Sequence, residues 1–208
     1  MIFEISVLKT IRAGETVIGA GAQSGHLGYI VNGILCMKKV LADGRSHIIG
    51  FLTRGGMFGR ILDGEAGYSV EALTDTEVFC LERAPFEHIL RGNPAVERAF
   101  LVNVLDELDA ARASILMLGG RKVPERVAAF LLLLTRSNSE IEDGTGQPPV
   151  IVRVPVRRAE WAQYLGTRPE TLSRALHSLE TRAVIRIIDP YCFEIVDRAA
   201  LAGIAGQD

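Results

Sequence analysis

Arginine is concentrated in one stretch of this 208-residue chain, residues 153–186. That stretch has seven arginines against three glutamates, a balance of +4, whereas residues 1–120 have 11 basic against 14 acidic side chains, a balance of -3. A guanidinium group donates paired hydrogen bonds to phosphate and to guanine. A basic stretch in a chain of net charge -2 therefore indicates a polyanionic partner, although arginines also simply keep a helix surface hydrated.

Cysteine and histidine, which bind most transition metals in proteins, are few and scattered. Cys36, Cys80 and Cys192 form no CxxC motif, and the four histidines form no HxH pair, which argues against a metal-dependent enzyme of the cupin type. An odd number of widely spaced thiols is typical of a reducing compartment. No apolar run approaches the roughly 20 residues that cross a bilayer. We therefore expect a cytoplasmic protein without a membrane partner, and not an enzyme.

Residues 5–90 are predicted to form many short strands separated by glycine. The dipeptides Asn32-Gly33 and Asp43-Gly44 supply the positive φ angles of tight hairpin turns. Short strands at this spacing are typical of a β-sandwich or barrel, and we predict a jelly roll over residues 1–93. The apolar and β-branched runs that predict strands are 16–18, 28–31, 34–37, 47–51 and 78–81.

From Pro94 the periodicity becomes that of a helix, predicted over residues 94–119. Its apolar residues recur at alternating intervals of three and four, the a/d pattern of a helix that packs against a second helix. In this register Glu107 and Arg112 would face each other across a parallel dimer. An apolar row of this length also fits an ordinary helix that packs on the core of its own subunit. The predicted dimer seam consists of Leu101, Val104, Leu108, Ala111, Ile115 and Leu118.

Residues 120–208 are predicted to form a second domain. Gly119-Gly120 ends or bends the dimer helix, since glycine costs about 1 kcal/mol in a helix interior. Pro124 fits the first turn of another helix, where its missing N–H would be unpaired anyway. Residues 138–149 are polar and rich in glycine and proline, which predicts a loop. A strand at 150–154, two helices and a closing hairpin follow.

The two helices have the pattern of a helix-turn-helix motif. A short helix at 157–165 is followed by Gly166, and Thr167-x-x-Glu170 matches a capping box that would start the second helix. In such a motif the second helix enters the major groove with its first residues on base edges. Apolar residues at 184–187 and 192–195 are predicted to pair into a β-wing beside it. The buried face of the second helix is predicted to consist of Leu172, Leu176 and Leu179.

Three segments resemble the CRP/FNR superfamily of bacterial transcription regulators. Residues 161–176 are similar to its A-x-Y-L-G-x-x-x-E-T-[VIL]-S-R-x-L signature, residues 120–128 to its G-R-K-x-x-E-R-[VL]-A link, and Met57-Phe58-Gly59 falls where its β-roll has a counterpart. The resemblance covers essentially the whole chain and implies an α+β fold. The implied fold consists of a cyclic-nucleotide-binding-like β-roll (1–93), a dimerisation helix (94–119) and a winged helix-turn-helix domain (120–208).

The residues Glu170, Ser173 and Arg174 resemble the E-x-x-S-R pattern of the FNR/FixK branch. The resemblance implies a homodimer that binds a palindrome of TTGAT-like half-sites in double-stranded DNA, with RNA polymerase as a further partner. Arginine can donate two bonds to guanine and glutamate can accept one from cytosine, although Glu170 also fits pure helix capping. Arg157 and Arg158 are expected to contact phosphate at most. The predicted DNA-binding residues are Glu170, Ser173, Arg174, Thr167 and Arg168.

The sequence departs from the superfamily where its cofactors bind. The cAMP-binding members have a glutamate after Phe-Gly and an Arg-Ser or Arg-Thr pair for the phosphate, whereas here Arg60 follows Phe58-Gly59 and no arginine occurs between Arg60 and Arg83. A buried phosphate without a cation is costly to desolvate, so we expect no cAMP binding. Three scattered cysteines cannot supply the four ligands of an iron–sulfur cluster. We predict a regulator without a cofactor; the alternative is one gated by haem or another small ligand.

Overall fold

The computed structural model of the chain describes residues 5–23, 25–61, 64–135 and 150–206. The chain folds as two compact units, an N-terminal unit of residues 1–113 and a C-terminal unit of residues 114–208. The loop predicted at 138–149 lies outside the described residues. No helix in the described ranges is long and apolar enough to cross a bilayer.

The N-terminal unit consists of eight strands followed by helices. All strand pairs are antiparallel, and they form two four-stranded sheets with the orders β1-β8-β3-β6 and β2-β7-β4-β5. Alternate side chains of both sheets point into one apolar core, in which Ile30, Leu35, Val70 and Val78 are fully buried. The predicted β-roll is confirmed. The elements are β1 (Ser6–Ile11), β2 (Thr16–Ile18), β3 (His26–Asn32), β4 (Leu35–Val40), β5 (Ser46–Leu52), β6 (Met57–Phe58), β7 (Ser69–Ala72), β8 (Thr76–Glu82), α1 (Arg83–Gly92) and α2 (Pro94–Gly120).

The turn between β3 and β4 shows why glycine follows Asn32. Gly33 has a φ of +98°, and a Cβ there would lie 2.7 Å from the Cα of Thr76. An L side chain is therefore excluded both by the backbone conformation and by the neighbouring chain. The Asn32 side chain accepts the N–H of Gly33 at 2.8 Å, which completes the predicted chain reversal.

Helix α1 was not predicted, because short strands were predicted over the whole range 5–90. The helix is short and amphipathic, and it packs Phe86 against Leu27 of β3. The ring of Phe86 also meets that of Phe100 on α2 edge-on, at 5.8 Å between centroids. The spacing of Phe86 and Leu90, four residues apart, was the available signal for a helix.

The C-terminal unit has the predicted strand, helices and hairpin and one further helix. Its three strands form an antiparallel sheet with the order β10-β11-β9. The unpredicted helix at the end of the unit begins at Asp197, whose side chain accepts the N–H of Ala200 at 2.8 Å, and it buries Leu201. The elements are α3 (Val123–Thr135), β9 (Val150–Arg153), α4 (Arg158–Tyr164), α5 (Pro169–Thr181), β10 (Ile185–Asp189), β11 (Cys192–Ile195) and α6 (Arg198–Ala205).

Candidate nucleic-acid interface

Helices α4 and α5 are joined by a tight turn at Gly166. This residue has a φ of +61°, and its N–H donates to the carbonyl of Gln163 at 3.0 Å. The N–H of Thr167 donates to the carbonyl of Ala162 at 2.9 Å, so the chain reverses within three residues. The left-handed conformation favours glycine. The predicted helix-turn-helix is confirmed.

The side chain of Arg126, on α3, supports this turn. Its Nη1 donates to the carbonyl of Leu165 at 2.9 Å, and its Nε donates to the carbonyl of Arg121 at 2.8 Å. Arg126 lies within the link motif at 120–128, and no role was predicted for it. A half-buried cation that donates to main-chain carbonyls fixes the turn relative to α3.

The first turn of α5 differs from the prediction. The helix begins at Pro169 with Arg168 as its N-cap residue, and no side chain caps it. Proline has no N–H to satisfy and a φ already suited to the first helical position, which explains why the helix begins at Pro169. Thr167 belongs to the turn instead. The predicted Thr167–Glu170 capping box is therefore wrong, and Glu170 has no capping role.

Helix α5 has one buried and one exposed face. Leu172, Leu176 and Leu179 are at most 1% exposed, as predicted. The opposite face begins with the five predicted DNA-binding residues, which lie together in the turn and the first two turns of the helix. Among the residues that the structure describes, neither Glu170 nor Arg174 has a side-chain hydrogen bond or ion pair. The residues of this face are Thr167 and Ser173, which are half-buried, and Arg168, Glu170 and Arg174, which are exposed.

Two other arginines of the basic stretch have carboxylate partners. Arg157 pairs with Glu160 at 3.3 Å, and Arg186 pairs across the wing with Glu194 at 2.6 Å. The hydrogen bond from Arg157 to Glu160 raises the pKa of the arginine. Exposed pairs of this kind contribute little to stability. Arg174 on α5, by contrast, forms no ion pair with a described carboxylate.

The surroundings of Arg158 differ from those of an exposed side chain that could contact phosphate. Its guanidinium stacks over the rings of Trp161 and Phe193, with distances of 5.1 and 5.7 Å to the centroids, and its Nη2 donates to the carbonyl of Pro190 at 3.2 Å. Burial lowers its pKa, although the nearby Tyr191 acts in the opposite direction. The side chain is therefore part of the packing between α4 and the wing.

Aromatic side chains form the core beneath the motif. The ring centroid of Trp161 lies 5.3 Å from that of Phe130 on α3 and 5.6 Å from that of Phe193 on β11. Phe130 also contacts Tyr164, at 5.6 Å between centroids. Burial raises the pKa of Tyr164, although a hydrogen bond with Ser114 acts in the opposite direction. The cluster fixes α3, α4 and the sheet relative to one another.

The end of α5 is joined directly to the wing. Ala183 has a φ of +54°, its N–H donates to the carbonyl of Glu180, and the N–H of Val184 donates to the carbonyl of Leu179. This is a Schellman motif, in which glycine is the usual left-handed residue. Glu180 Oε1 also accepts the N–H of Ile187 at 3.0 Å, and this bond, followed by the contact with His177, lowers the pKa of Glu180. The predicted wing is confirmed.

Helix α2 exposes large apolar side chains along its length. Leu101, Val104, Leu108 and Ile115 of the predicted seam are 54, 43, 44 and 71% exposed. Of the two other seam residues, Ala111 is exposed and Leu118 half-buried. A row of this kind on one helix marks an interaction surface. The apolar surface is wider than the seam, since Val102, Leu105 and Leu116 are also exposed.

A cavity of about 120 Å³ lies in the N-terminal unit between the β-roll and α2. It is lined by apolar residues together with Tyr68, Asn103 and Glu107, and no lysine or arginine is among the described lining residues. Burial raises the pKa of Tyr68, and the charge of Glu107 raises it further. Desolvation also raises the pKa of Glu107. Arg60 lies instead at a smaller cavity of about 20 Å³.

The three cysteines lie apart in the described structure. Cys36 and Cys192 are buried, and Cys80 is half-buried, which raises the pKa of its thiol. Within the described ranges no three histidine, cysteine or acidic side chains are grouped so as to hold a metal ion. The cysteines therefore pack as small apolar residues.

Both units match known protein families. Residues 8–93 match the model of a cyclic nucleotide-binding domain, and residues 125–204 match that of a Crp-like helix-turn-helix domain. The transcriptional activator protein FnrL of Cereibacter sphaeroides is 32% identical over 205 residues, which cover 99% of this chain and 83% of FnrL. The chain belongs to the CRP/FNR family. Its members are DNA-binding transcription regulators and not enzymes.

Two further CRP/FNR relatives are named FixK and FixK2. The nitrogen fixation regulation protein FixK of Bradyrhizobium diazoefficiens is 31% identical over 176 residues, which cover 85% of this chain and 73% of FixK. The solved structure of FixK2 from Bradyrhizobium japonicum superposes with a TM-score of 0.81 at 26% identity, covering 96% of this chain and 97% of FixK2. The predicted similarity to the FNR/FixK branch is confirmed.

Proposed function

We propose that this CRP/FNR-family chain is a homodimeric transcriptional activator that binds a palindrome of TTGAT-like half-sites and acts without cAMP. The exposed start of α5 carries the proposal. Glu170 and Arg174 are exposed there, without side-chain partners among the described residues, on a helix whose other face is buried. A rigid helix with free hydrogen-bonding groups at its N-terminal end is the element that enters the major groove in helix-turn-helix proteins.

The side chains at this end suit the groups that a TTGAT half-site offers. The half-site has one G·C pair, with a guanine for Arg174 and a cytosine for Glu170. Arginine reads guanine through two hydrogen bonds to O6 and N7, and a carboxylate accepts from the cytosine amino group. Ser173 adds a hydroxyl beside Arg174. Thr167 and Arg168, in the turn at the helix N-terminus, are placed for phosphate, because the helix dipole and the free N–H groups attract an anion there.

The exposed apolar row of α2 supports a dimer. Burial of Leu101, Leu108 and Ile115 against the same residues of a second copy would remove a large apolar surface from water. Two copies related by a two-fold axis present two recognition helices, which requires a palindromic site. The name of the relative FnrL, a transcriptional activator protein, supports activation, for which RNA polymerase is the further partner.

The cavity between the β-roll and α2 supports independence from cAMP. Its volume of about 120 Å³ is below the range of roughly 300–1,000 Å³ that is typical of ligand pockets. Glu107 lines it, and a carboxylate there repels a phosphate. These features support a regulator that needs no cofactor. The cavity also favours the second candidate, a regulator of the same fold gated by a ligand, but a ligand smaller than haem.

Selection of bound duplexes from a random pool, with and without millimolar cAMP, tests the proposal. We expect a palindrome whose half-sites are about one helical turn, roughly 34 Å, apart, and the same enrichment in both arms. Recovery of an asymmetric site, or enrichment only with cAMP, would contradict the proposal. An absorbance spectrum of the purified protein tests for haem itself, because a Soret band would require haem and would contradict a regulator without a cofactor.

A further inference from the structure

Arg158 joins α4 to the turn of the wing through three contacts. Its guanidinium lies over the rings of Trp161, on α4, and Phe193, on β11, while its Nη2 donates to the carbonyl of Pro190 between the two wing strands. The same wing turn has a second support, because Asp189 Oδ1 accepts the N–H of Tyr191 at 2.7 Å. Arg158 is thus the side chain that extends from α4 to the loop of the wing.

The position of this guanidinium does not suit a phosphate contact. Its Nη1 is buried and has no hydrogen-bond partner among the described residues. An arginine that leaves one donor unpaired and lies over two aromatic rings is held by its planar shape, which lysine does not have. Arg157, by contrast, is exposed, and its guanidinium pairs with Glu160, three residues further on. The two adjacent arginines therefore have different surroundings despite identical charge.

We propose that Arg158 is a positioning residue for DNA binding, which holds the wing turn against α4 so that the wing and the recognition helix meet DNA as one surface. The proposal rests on the DNA-binding function proposed above. It assigns Arg158 no contact with DNA. Arg158 acts on the wing, because Pro190 and Tyr191 lie in the turn that it supports. The start of α5 is held separately, through Arg126 and Leu165.

The variants Arg158→Ala and Arg158→Lys test the positioning role. Arg157→Ala is the matched control, because it removes the same charge from an adjacent position. Trp161 is the chain's single tryptophan, so its fluorescence reports on the stacking without any label. We expect both Arg158 variants to change the Trp161 emission in the absence of DNA, and Arg157→Ala to leave it unchanged. Unchanged emission in both Arg158 variants would overturn the stacked arrangement, whether or not the protein binds DNA.

Binding to a duplex with two TTGAT half-sites gives the second readout, with the active protein concentration fixed by titration. We expect the Kd of both Arg158 variants to rise about tenfold at every salt concentration, because a residue that is coupled to binding without contacting the ligand can change affinity by about this much. The slope of log Kd against log salt should not change. Loss of a phosphate contact would lower that slope by about 1.8 per dimer, and lysine would retain the contact. A lower slope, or full rescue by lysine, would overturn the proposal.

Hydroxyl-radical footprints separate positioning from a general loss of folded protein. We expect the Arg158 variants, at saturating concentration, to lose protection only at the outer edges of the site, where the wing lies, and to retain it under the recognition helices. Equal weakening of all protections would indicate a folding defect and contradict the proposal. If wild-type protein protects no site at all, the proposed function fails, and the Trp161 emission still decides the stacking.

Discussion

Arg126 Nη1 donates to the carbonyl of Leu165 at 2.9 Å, so the first turn of α3 is bonded to the turn of the helix-turn-helix. The two residues are 39 positions apart in the sequence. A carbonyl at the end of α4 has no partner within its own helix, and the guanidinium satisfies it. The orientation of α5 therefore depends on a residue outside the motif.

Replacing Arg126 should destabilise the C-terminal unit. Arg126→Met retains most of the apolar part of the side chain but loses the bonds to Leu165 and Arg121, and bonds from a charged donor contribute about 1.5–3 kcal/mol. We expect the free energy of unfolding to fall by about 2 kcal/mol, measured in urea by Trp161 fluorescence. Lys122→Met, at an exposed neighbour, is the control and should change little. Equal effects of the two substitutions would contradict the assigned role.

Ala183→Gly should stabilise the same unit. Ala183 is exposed and has a φ of +54°, a conformation that is unfavourable for a residue with a Cβ. Glycine removes this strain and retains the Schellman hydrogen bonds. We therefore expect the free energy of unfolding, measured in urea, to rise by about 1 kcal/mol. The matched opposite is Gly166→Ala, which introduces a Cβ at a φ of +61° and should destabilise. A loss of stability in Ala183→Gly would show that the left-handed end of α5 is assigned wrongly.

The seam of α2 should control the oligomeric state. Ile115→Glu or Leu108→Glu places a carboxylate in each half of an apolar interface, and burying an unpaired charge costs several kcal/mol. We expect sedimentation equilibrium to show a dimer for the wild type and mainly monomer for both variants at micromolar concentration.

Ala113→Glu is the control for the seam, because it introduces the same charge on the same helix at an exposed position opposite the predicted a/d residues. This variant should remain dimeric. A dimer that persists in Ile115→Glu and Leu108→Glu alike would contradict the seam.

The sequence predicted the elements that have a strong local pattern. The leucines of α5, the Asn32-Gly33 turn and the glycine break at Gly166 follow from periodicity and backbone conformation, which are properties of neighbouring residues. Helix α1 and strand β1 were missed. Strand β1 has a mostly exposed sequence and is formed by pairing with β8, about 70 residues away.

The supporting contacts of the interface could not be read from the sequence. Glu170, Ser173 and Arg174 are identifiable because they share one helix face and one motif. The bond from Arg126 to Leu165 and the stacking of Arg158 on Phe193 join residues that are distant in the chain. The sequence also placed the start of α5 at Thr167, since the capping-box pattern matched there, while Pro169 occupies the first helical position.

The central claim is that Arg174 reads a guanine in each half-site. The direct test is a titration of wild type and Arg174→Ala against a TTGAT palindrome and a version with both guanines replaced. Arg182→Ala, at the other end of α5, is the control for loss of one positive charge. Each half-site should lose about 1–3 kcal/mol of discrimination in Arg174→Ala, so that the variant binds the two duplexes with nearly equal affinity. Arg182→Ala should retain the wild-type preference. If Arg174→Ala retains that preference as well, Arg174 does not read the base and the proposed mode of recognition is wrong.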